Sequence, residues 1–403
     1  MDTIMVIPGA AAQIPVIKRI KELGYKVVCV NPHNNSPAFP YADFTEQYDI
    51  LNVDDCIGVA KKYNVCAVIS DECDIAIPTV ASVSETLGIP SIGSRLARLY
   101  TNKKEMRDYS RYNGFPCPAY QQCSTLEEAK KFFQSLEIPK MIMKPLDSNS
   151  SRGVYTVTNE TELCEQFERS LAFSRSEHAV LCEEFIEGTE FTIDGIVLNG
   201  KHYSLAISRK DHYEHHQNIA CELYFSHSDP EFNYEQLRKQ NDEYVEKSGL
   251  PFGFTHAEYK FNGKQFVLIE IGARGGGNYI SSHVVPAMTG LDNYKLLVEH
   301  TLNANQVNEY TLNPKYQDRC CVLKFFDVDS SNDGKVVKGI ENENLLSDNS
   351  KVLMYRFNFE LGDTIHLAED DSKRIGFYIA YGDTREELNE LIEKVSRCVK
   401  LKF

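Results

Sequence analysis

The sequence predicts an α/β half followed by an α+β half. Over residues 1 to about 95, apolar strand-like runs alternate with helix-period segments, the pattern of a parallel sheet packed between helices. From 190 the pattern changes to long strands joined by Asn-Gly turns, at Asn199-Gly200 and Asn262-Gly263, which are strong hairpin signals. A chain of 403 residues has room for several packed units, at roughly 100 to 200 residues each.

Each element follows from local pattern. Residues 3–7 form an apolar run, Pro8-Gly9 breaks it, and Ile14, Ile17, Ile20 and Leu23 recur at helical spacing. A strand from Lys26 to Val30, a helix over 54–63, a strand over Val65–Ser70 and a helix over 75–87 ending at Gly88 complete the first unit. A polar helix over 103–113 leads into a linker marked by Gly114, Pro116 and Pro118. Next come a helix at 125–136, strand Met141–Lys144, a polar loop at 147–152, strand Val154–Val157, a helix at 160–172 and strand Ala179–Glu184. Beyond about 311, strands at 320–328, 335–340, 352–359 and 374–381 and a closing helix at 384–397 read as a small separate unit.

The 43 basic residues are outnumbered by 58 acidic ones, a net charge of −15, which argues against nucleic acid or an anionic membrane as partner. Apolar runs fall far short of the roughly 20 residues that span a bilayer. The start, MDTIMVIPG, lacks a basic region ahead of an apolar stretch, so a cytoplasmic location is expected. Twelve cysteines without a CxxC pair read as reduced core thiols, including the adjacent Cys320 and Cys321.

Several segments carry chemistry. The turn Gly9-Ala10-Ala11-Ala12 lacks the GxGxxG spacing of a dinucleotide site. The loop Asp147–Gly153, after Lys144, offers small polar residues and backbone N–H groups to a phosphate, although alone it fits a solvated hairpin loop equally well. In Glu183–Glu190 a strand end, a connector and a new strand succeed one another, where exposed backbone suits an adenine edge and a carboxylate such as Glu190 suits ribose hydroxyls. Glu258 and Glu270 flank the Asn262-Gly263 turn and could share a hard cation such as Mg²⁺, but only from one face of the hairpin. A two-residue loop would set them on opposite faces. We therefore expect a three-residue loop closing Lys260 on Lys264, with Gly263 in a left-handed bulge and Glu258 opposite Phe266. Arg274, followed by three glycines, suits a carboxylate or phosphate. His212 and His215 lack the partners of a zinc site, and a polar substrate-facing loop is expected there.

Taken together, Lys103, Lys144, the flap at 147–153, the hinge at 183–190, Glu258, Glu270 and Arg274 resemble the ATP-grasp superfamily in order and spacing. Nearly the whole chain is similar, including Arg374–Glu386, which looks like the tail of biotin-carboxylase-type members. The resemblance implies an ATP-grasp fold with an N-terminal open parallel α/β domain at 1–95, linker helices at 96–117, and a mobile lid at 118–187. It further implies a central α+β domain with the metal site at 188–310 and a small β-rich C-terminal unit at 311–403. Lys103, Lys144, Ser148, Ser150, Ser151 and Gly153 would meet ATP phosphates, Glu183, Phe185 and Ile186 the adenine, and Glu190 the ribose. Glu258 and Glu270 would hold Mg²⁺, with Mn²⁺ as a substitute. Arg274 and Lys144 would be catalytic, and Arg274, Gly275 and Gly276, with Arg209 and His283 as neighbours, would meet substrate in a cleft shared by the N-terminal unit, the 209–220 loop and the 272–283 loop.

The sequence departs from the family at three places, one of them near Asn218, where biotin carboxylases carry a lysine. Gly272 stands where members commonly carry Asn, which weakens a second Mg²⁺, and Asn278 stands where biotin carboxylases carry the Glu that activates bicarbonate. The resemblance thus implies a carboxylate–amine ligase acting through an acyl phosphate on small-molecule acids and amines, with a homodimer as the default assembly. The alternatives are a phosphoribosylglycinamide-synthetase-like purine enzyme and a non-catalytic ATP-binding sensor.

Overall fold

The computed structural model describes residues 2–147, 152–175, 177–304 and 307–403. Ser148, Ser150 and Ser151 of the expected flap lie outside the described residues.

The first unit is a parallel sheet ordered Phe44–Glu46, Lys26–Val30, Thr3–Val6, Val65–Ile69. Helices Ile14–Glu22, Val53–Lys62 and Ile77–Leu87 cover it. Ile4, Val6 and Cys29 pack to one side of the sheet and Met5, Val28 and Val30 to the other, so its strands read as unbroken apolar runs. The short strand Phe44–Glu46 has no such run and escapes a pattern reading.

Residues 120–184 form an antiparallel sheet ordered Tyr120–Cys123, Val180–Glu184, Met141–Pro145, Tyr155–Val157. Helices Leu126–Ser135 and Glu160–Leu171 bury Phe132, Phe133, Leu163 and Phe167 with it.

The rest is organised by one eight-stranded sheet. Its order is Phe266–Gly272, Gly253–Phe261, Thr189–Leu198, Lys201–Tyr213, His216–Ser226, Cys320–Phe325, Gly376–Gly382, Val352–Phe357. The C-terminal strands therefore do not form a sheet of their own: Cys320–Phe325 pairs with His216–Ser226, and the central sheet runs straight into the C-terminal region. The expected strand 335–340 is instead two short pieces in separate two-stranded sheets. Cys320 and Cys321 point to opposite faces of their strand, into different apolar clusters, which excludes a redox pair.

Two further corrections concern this sheet. The expected 209–220 loop is a hairpin, with Lys201–Tyr213 paired to His216–Ser226. The helix Tyr234–Ser248, unforeseen, packs on the face formed by Phe191, Ile193 and Tyr259. Buried Asn241 and Ser248 stand among its inward positions, and they blur the apolar period by which a helix is read. Among the described residues no helix is long and apolar enough to cross a membrane.

The Asn199-Gly200 turn is as expected: Leu198 pairs Lys201, with φ of 52° and 80° at the two turn residues. The second hairpin is built differently. Phe261 pairs Phe266 across a four-residue loop, in which Asn262 Oδ1 accepts from the N–H groups of Lys264 and Gln265, each at 3.1 Å. This Asx turn, absent from the expected loop, sets a register that alone would put Glu258 and Glu270 on opposite faces. A bulge restores the parity. Tyr259 pairs Leu268, Ile269 is left over, and Glu258 pairs Glu270 directly. The two carboxylates share a face, as expected, but the extra residue is Ile269 and not Gly263.

Candidate functional site

The site forms on the face of the large sheet opposite helix Tyr234–Ser248. Alternation along Thr189–Leu198 and Gly253–Phe261 sends Phe191, Ile193, Ala257 and Tyr259 to the helix and Glu190, Asp194, His256 and Glu258 to the other side.

Helix Lys103–Tyr112 starts at Asn102, whose side chain caps Glu105 N at 3.1 Å. Lys103 is buried, with Nζ 2.9 Å from Glu270 Oε1, and its backbone N–H donates to Leu146 O at 3.0 Å. One turn on, the fully buried Arg107 donates from Nε to Glu183 Oε1 at 2.7 Å and from Nη2 to Glu183 Oε2 at 3.3 Å. The same Nη2 donates to Ile269 O, the carbonyl of the bulge. Lys144 Nζ stands 2.6 Å from Glu183 Oε2. Burial would push the Glu183 carboxyl up, but Arg107 and Lys144 outweigh it and hold the group below its ordinary range. Burial lowers the Lys144 ammonium, and Glu183 offsets this only in part. The Glu183 side chain, expected at an adenine, is thus committed to two cations and aims Lys144.

The hinge after Glu183 presents Phe185 and half-buried Ile186. Phe185 N–H donates to Lys140 O at 3.2 Å, and the Phe185 ring carries Lys140 Nζ at 3.8 Å and Lys260 Nζ at 4.8 Å. Glu190 is bonded by Lys210 and lies 3.4 Å from His212 Nε2. Burial raises its carboxyl, but Lys210 and His212 overcome this and bring it to about 2. Lys210 also reaches Glu258 Oε1 at 3.3 Å. It is the chief reason, ahead of the opposing burial, that Glu258 is held well below the usual carboxylate range. His256 Nδ1 lies 3.1 Å from Asp194 Oδ2. Burial lowers the imidazole, but Asp194 prevails and raises it to about 9.

Glu258 and Glu270 therefore lie side by side, each beside a lysine. Among the described residues no cluster of three or more His, Cys, Asp or Glu could hold a metal alone. Two carboxylates on one face still fit Mg²⁺, which takes its remaining ligands from waters and phosphates.

At Gly272, Gly275 and Gly276 the loop packs too closely for side chains, against Asp74 and Asp71 of the N-terminal unit and against its own half of the chain. A Cβ at Gly275 would lie 1.8 Å from Ser281 Oγ, and one at Gly276 2.5 Å from Asp194 Oδ1, whose carboxylate accepts from Gly276 N–H at 2.8 Å. A Cβ at Gly272 would lie 2.5 Å from Asp74 Oδ1, which gives a physical reason for the missing Asn: Asp74 fills that space. Arg274 is not free, as a substrate clamp was expected to be. Its Nε and Nη2 pair bidentately with Asp74 at 2.8 and 2.7 Å, and Nη1 donates to Gly275 O at 2.9 Å. Three of its five N–H donors are used, leaving one on Nη1 and one on Nη2. Nearby, Glu72 has φ of 56°; its Oε2 accepts from Tyr279 N–H at 3.2 Å and its buried Oε1 has no hydrogen-bond partner. Burial first, then Asp71, raises the Glu72 carboxyl well above its ordinary value.

Other expected residues lie apart. Arg209 alternates with Lys210 and so occupies the opposite face, 3.7 Å from Glu231 Oε2 at the rim, which removes it from the substrate neighbourhood. His283 stacks edge-on to Tyr279 and lies 2.7 Å from Ser282 Oγ, without contact to Arg274. Gly153, with φ of 76°, accepts from Ser170 Oγ at 2.7 Å and anchors the end of the flap. His212 and His215 do not face a common cation, since His212 meets Glu190 and His215 meets Ala368 O. The site residues missed in the sequence are Arg107, Asp74, Asp194, Lys210 and His256. Arg107 stands four residues after Lys103, on the same helix face, which was a readable signal.

The sequence matches the ATP-grasp domain over residues 137–283 and the L-amino acid ligase C-terminal domain 2 over residues 331–403. The chain carries an ATP-grasp domain over residues 137–283, and along its whole length it shares its fold with the solved structures named below. It is similar to dapdiamide A synthase of Enterobacter agglomerans, 22% identical over 263 residues that make up 64% of this chain and 58% of that protein. It is also similar to the formate-dependent phosphoribosylglycinamide formyltransferase of Chlorobaculum tepidum, 28% identical over 47% of this chain and 49% of that protein. The matches thus span about half the length of these relatives. Among solved structures, the L-amino acid ligase of Bacillus licheniformis superposes with a TM-score of 0.82 at 19% identity, covering 100% of this chain and 99% of that one. The phosphoribosylglycinamide synthetase of Anaerococcus prevotii gives 0.75 at 17% identity, again over 100% and 99%.

The buried charge group predicts a stability effect. Arg107→Met should cost about 3 kcal/mol, the low end for breaking a buried ion pair, because Lys144 still faces Glu183; urea unfolding measures it. Glu72 predicts a pH effect. A carboxyl raised on folding loses stability as pH climbs from its unfolded value, about 4.3, toward the folded one. The unfolding midpoint of Glu72→Gln should therefore exceed that of the wild type by more at pH 8 than at pH 5, and a constant gap would show that Glu72 is ionised throughout.

Proposed function

We propose that this chain is an ATP- and Mg²⁺-dependent carboxylate–amine ligase of amino-acid type. The observation that carries the reading is the convergence of two buried lysines, Lys103 and Lys144, with two paired carboxylates, Glu258 and Glu270, next to the Arg274 loop. Similarity to an L-amino acid ligase C-terminal domain and to dapdiamide A synthase supports the amino-acid class.

ATP supplies a γ-phosphoryl group that converts a carboxylate to an acyl phosphate with release of ADP, and an amine then displaces phosphate from it with loss of a proton. Mg²⁺, when bound, would neutralise phosphate charge. The chain's own contribution is position and charge. Glu258 and Glu270 would hold the metal. Lys103 and Lys144 stabilise phosphate oxygens as charge develops, and because both are buried and fixed by Glu270 and Glu183, they need little reorganisation. Phe185 and Ile186 offer the hinge against which adenine rests, and Glu190, held by Lys210, faces the ribose. The two remaining Arg274 donors orient the substrate carboxylate. The 118–187 unit acts as the lid over the acyl phosphate, and Gly153 anchors its flap and keeps out water.

The test is ADP release from ATP with pooled amino acids. Release that needs both an acid and an amine is expected; ATP binding without turnover across all pools would reject a ligase. Glu270→Gln should lower turnover by about a hundredfold or more while leaving nucleotide affinity largely intact. Unchanged turnover would remove Glu270 from the metal site.

A further inference from the structure

Between the N-terminal sheet and the start of helix Lys103–Tyr112 lies a cavity of about 300 Å³, the size at which small-molecule sites begin. One end is the reaction site, lined by Lys103 and Glu270. The far wall is apolar, made by Leu51, Val53, Ile75 and Pro78. These residues follow strands Phe44–Glu46 and Val65–Ile69, at the carboxyl ends of parallel strands where open α/β sheets place ligands. The hydroxyl in this wall, Thr79 Oγ1, already donates to Ile50 O at 2.7 Å. Among the described residues the N-terminal unit adds no basic side chain to the lining, and its one charged group, Asp74, is turned to Arg274.

We infer that this cavity receives the apolar side chain of one amino-acid substrate, whose reacting end lies toward Lys103 and Glu270. The inference rests on the ligase reading and deepens it by naming a substrate class. A charged side chain laid against Leu51, Val53, Ile75 and Pro78 would lose its water and meet no partner on that wall, since Lys103, Asp147, Arg175 and Glu270, which complete the lining with Tyr100 and Thr101, come from the other units. A sugar phosphate would likewise find no cation on the N-terminal wall. Leu51, 43% exposed, stands at the mouth, where an apolar occupant would cover it.

The chain contains no tryptophan, so Leu51→Trp gives a single emission reporter at an already exposed position. With MgADP present, leucine or phenylalanine should shift that emission, and glutamate or lysine should not. Val53→Asp puts a carboxylate into the wall at the first residue of helix Val53–Lys62, where the helix N-terminus favours it and folding is retained. It should raise the KM for the apolar amino acid by about tenfold or more and leave the KM for ATP within about twofold. Equal response to charged amino acids, a silent tryptophan, or an unmoved KM in Val53→Asp overturns the assignment. The two readings fail separately. If wild-type protein releases no ADP with any amino acid, the ligase reading falls, and the Leu51→Trp emission still decides the cavity, a shift supporting it and silence rejecting it.

Discussion

A carboxylate away from water stays ionised only when cations or N–H donors meet its oxygens. Glu183 meets that condition with Arg107 on both oxygens and Lys144 on one. The three charges come from three places in the sequence: the helix Lys103–Tyr112 ahead of the linker, the strand Met141–Pro145 of the lid sheet, and the strand Val180–Glu184 that leads into the hinge. Removing Glu183 leaves two buried cations unpaired, and the lid sheet cannot drift from the helix without exposing the pairing. Arg107 adds a fourth link through Ile269 O, in the Glu258–Glu270 hairpin. One guanidinium thus touches both the carboxylate that aims Lys144 and the bulge that pairs Glu258 with Glu270.

That bulge shows how narrow the margin is. The hairpin loop and the strand register alone send Glu258 and Glu270 to opposite faces, and one unpaired residue brings them together. Its half-buried carbonyl takes a donor from Arg107, so the buried charge group also supports the face shared by Glu258 and Glu270.

Much of this was legible because it is periodic or punctuated. The parallel unit, the lid sheet and the Asn199-Gly200 hairpin follow from apolar runs and turn residues, and Lys103, Lys144, Glu258, Glu270 and Arg274 were singled out as residues before their contacts were visible. What escaped is pairing at a distance. Asp74 lies 200 positions before Arg274, and nothing local to either marks the other. The loop geometry at Asn262 depends on one side chain folding back onto its own backbone, which competes with the two- and three-residue alternatives at little energetic difference. Arg209 was misplaced because the hairpin was read as a loop, where alternation does not apply. The C-terminal strands were read as separate because sheet membership is set by partners far along the chain.

The Asp74–Arg274 pair ties these strands of argument to substrate. Asp74 follows the last strand of the parallel unit, and Arg274 follows the metal hairpin, so their bidentate contact fixes one unit against the other where a substrate must sit between them. Two glycines around Arg274 let the two surfaces approach: side chains at 272 or 275 would collide with Asp74 or Asp71 of the N-terminal unit. The approach has a chemical cost, since Asp74 claims donors that a substrate carboxylate would otherwise use. The two donors left on Nη1 and Nη2 set the terms for any ligand: it must take a guanidinium already neutralised by one carboxylate, in a site whose other anions, Glu258 and Glu270, repel it. On the proposed reading Glu258 and Glu270 also hold the metal, so a substrate carboxylate would meet less repulsion there with the metal bound than without it.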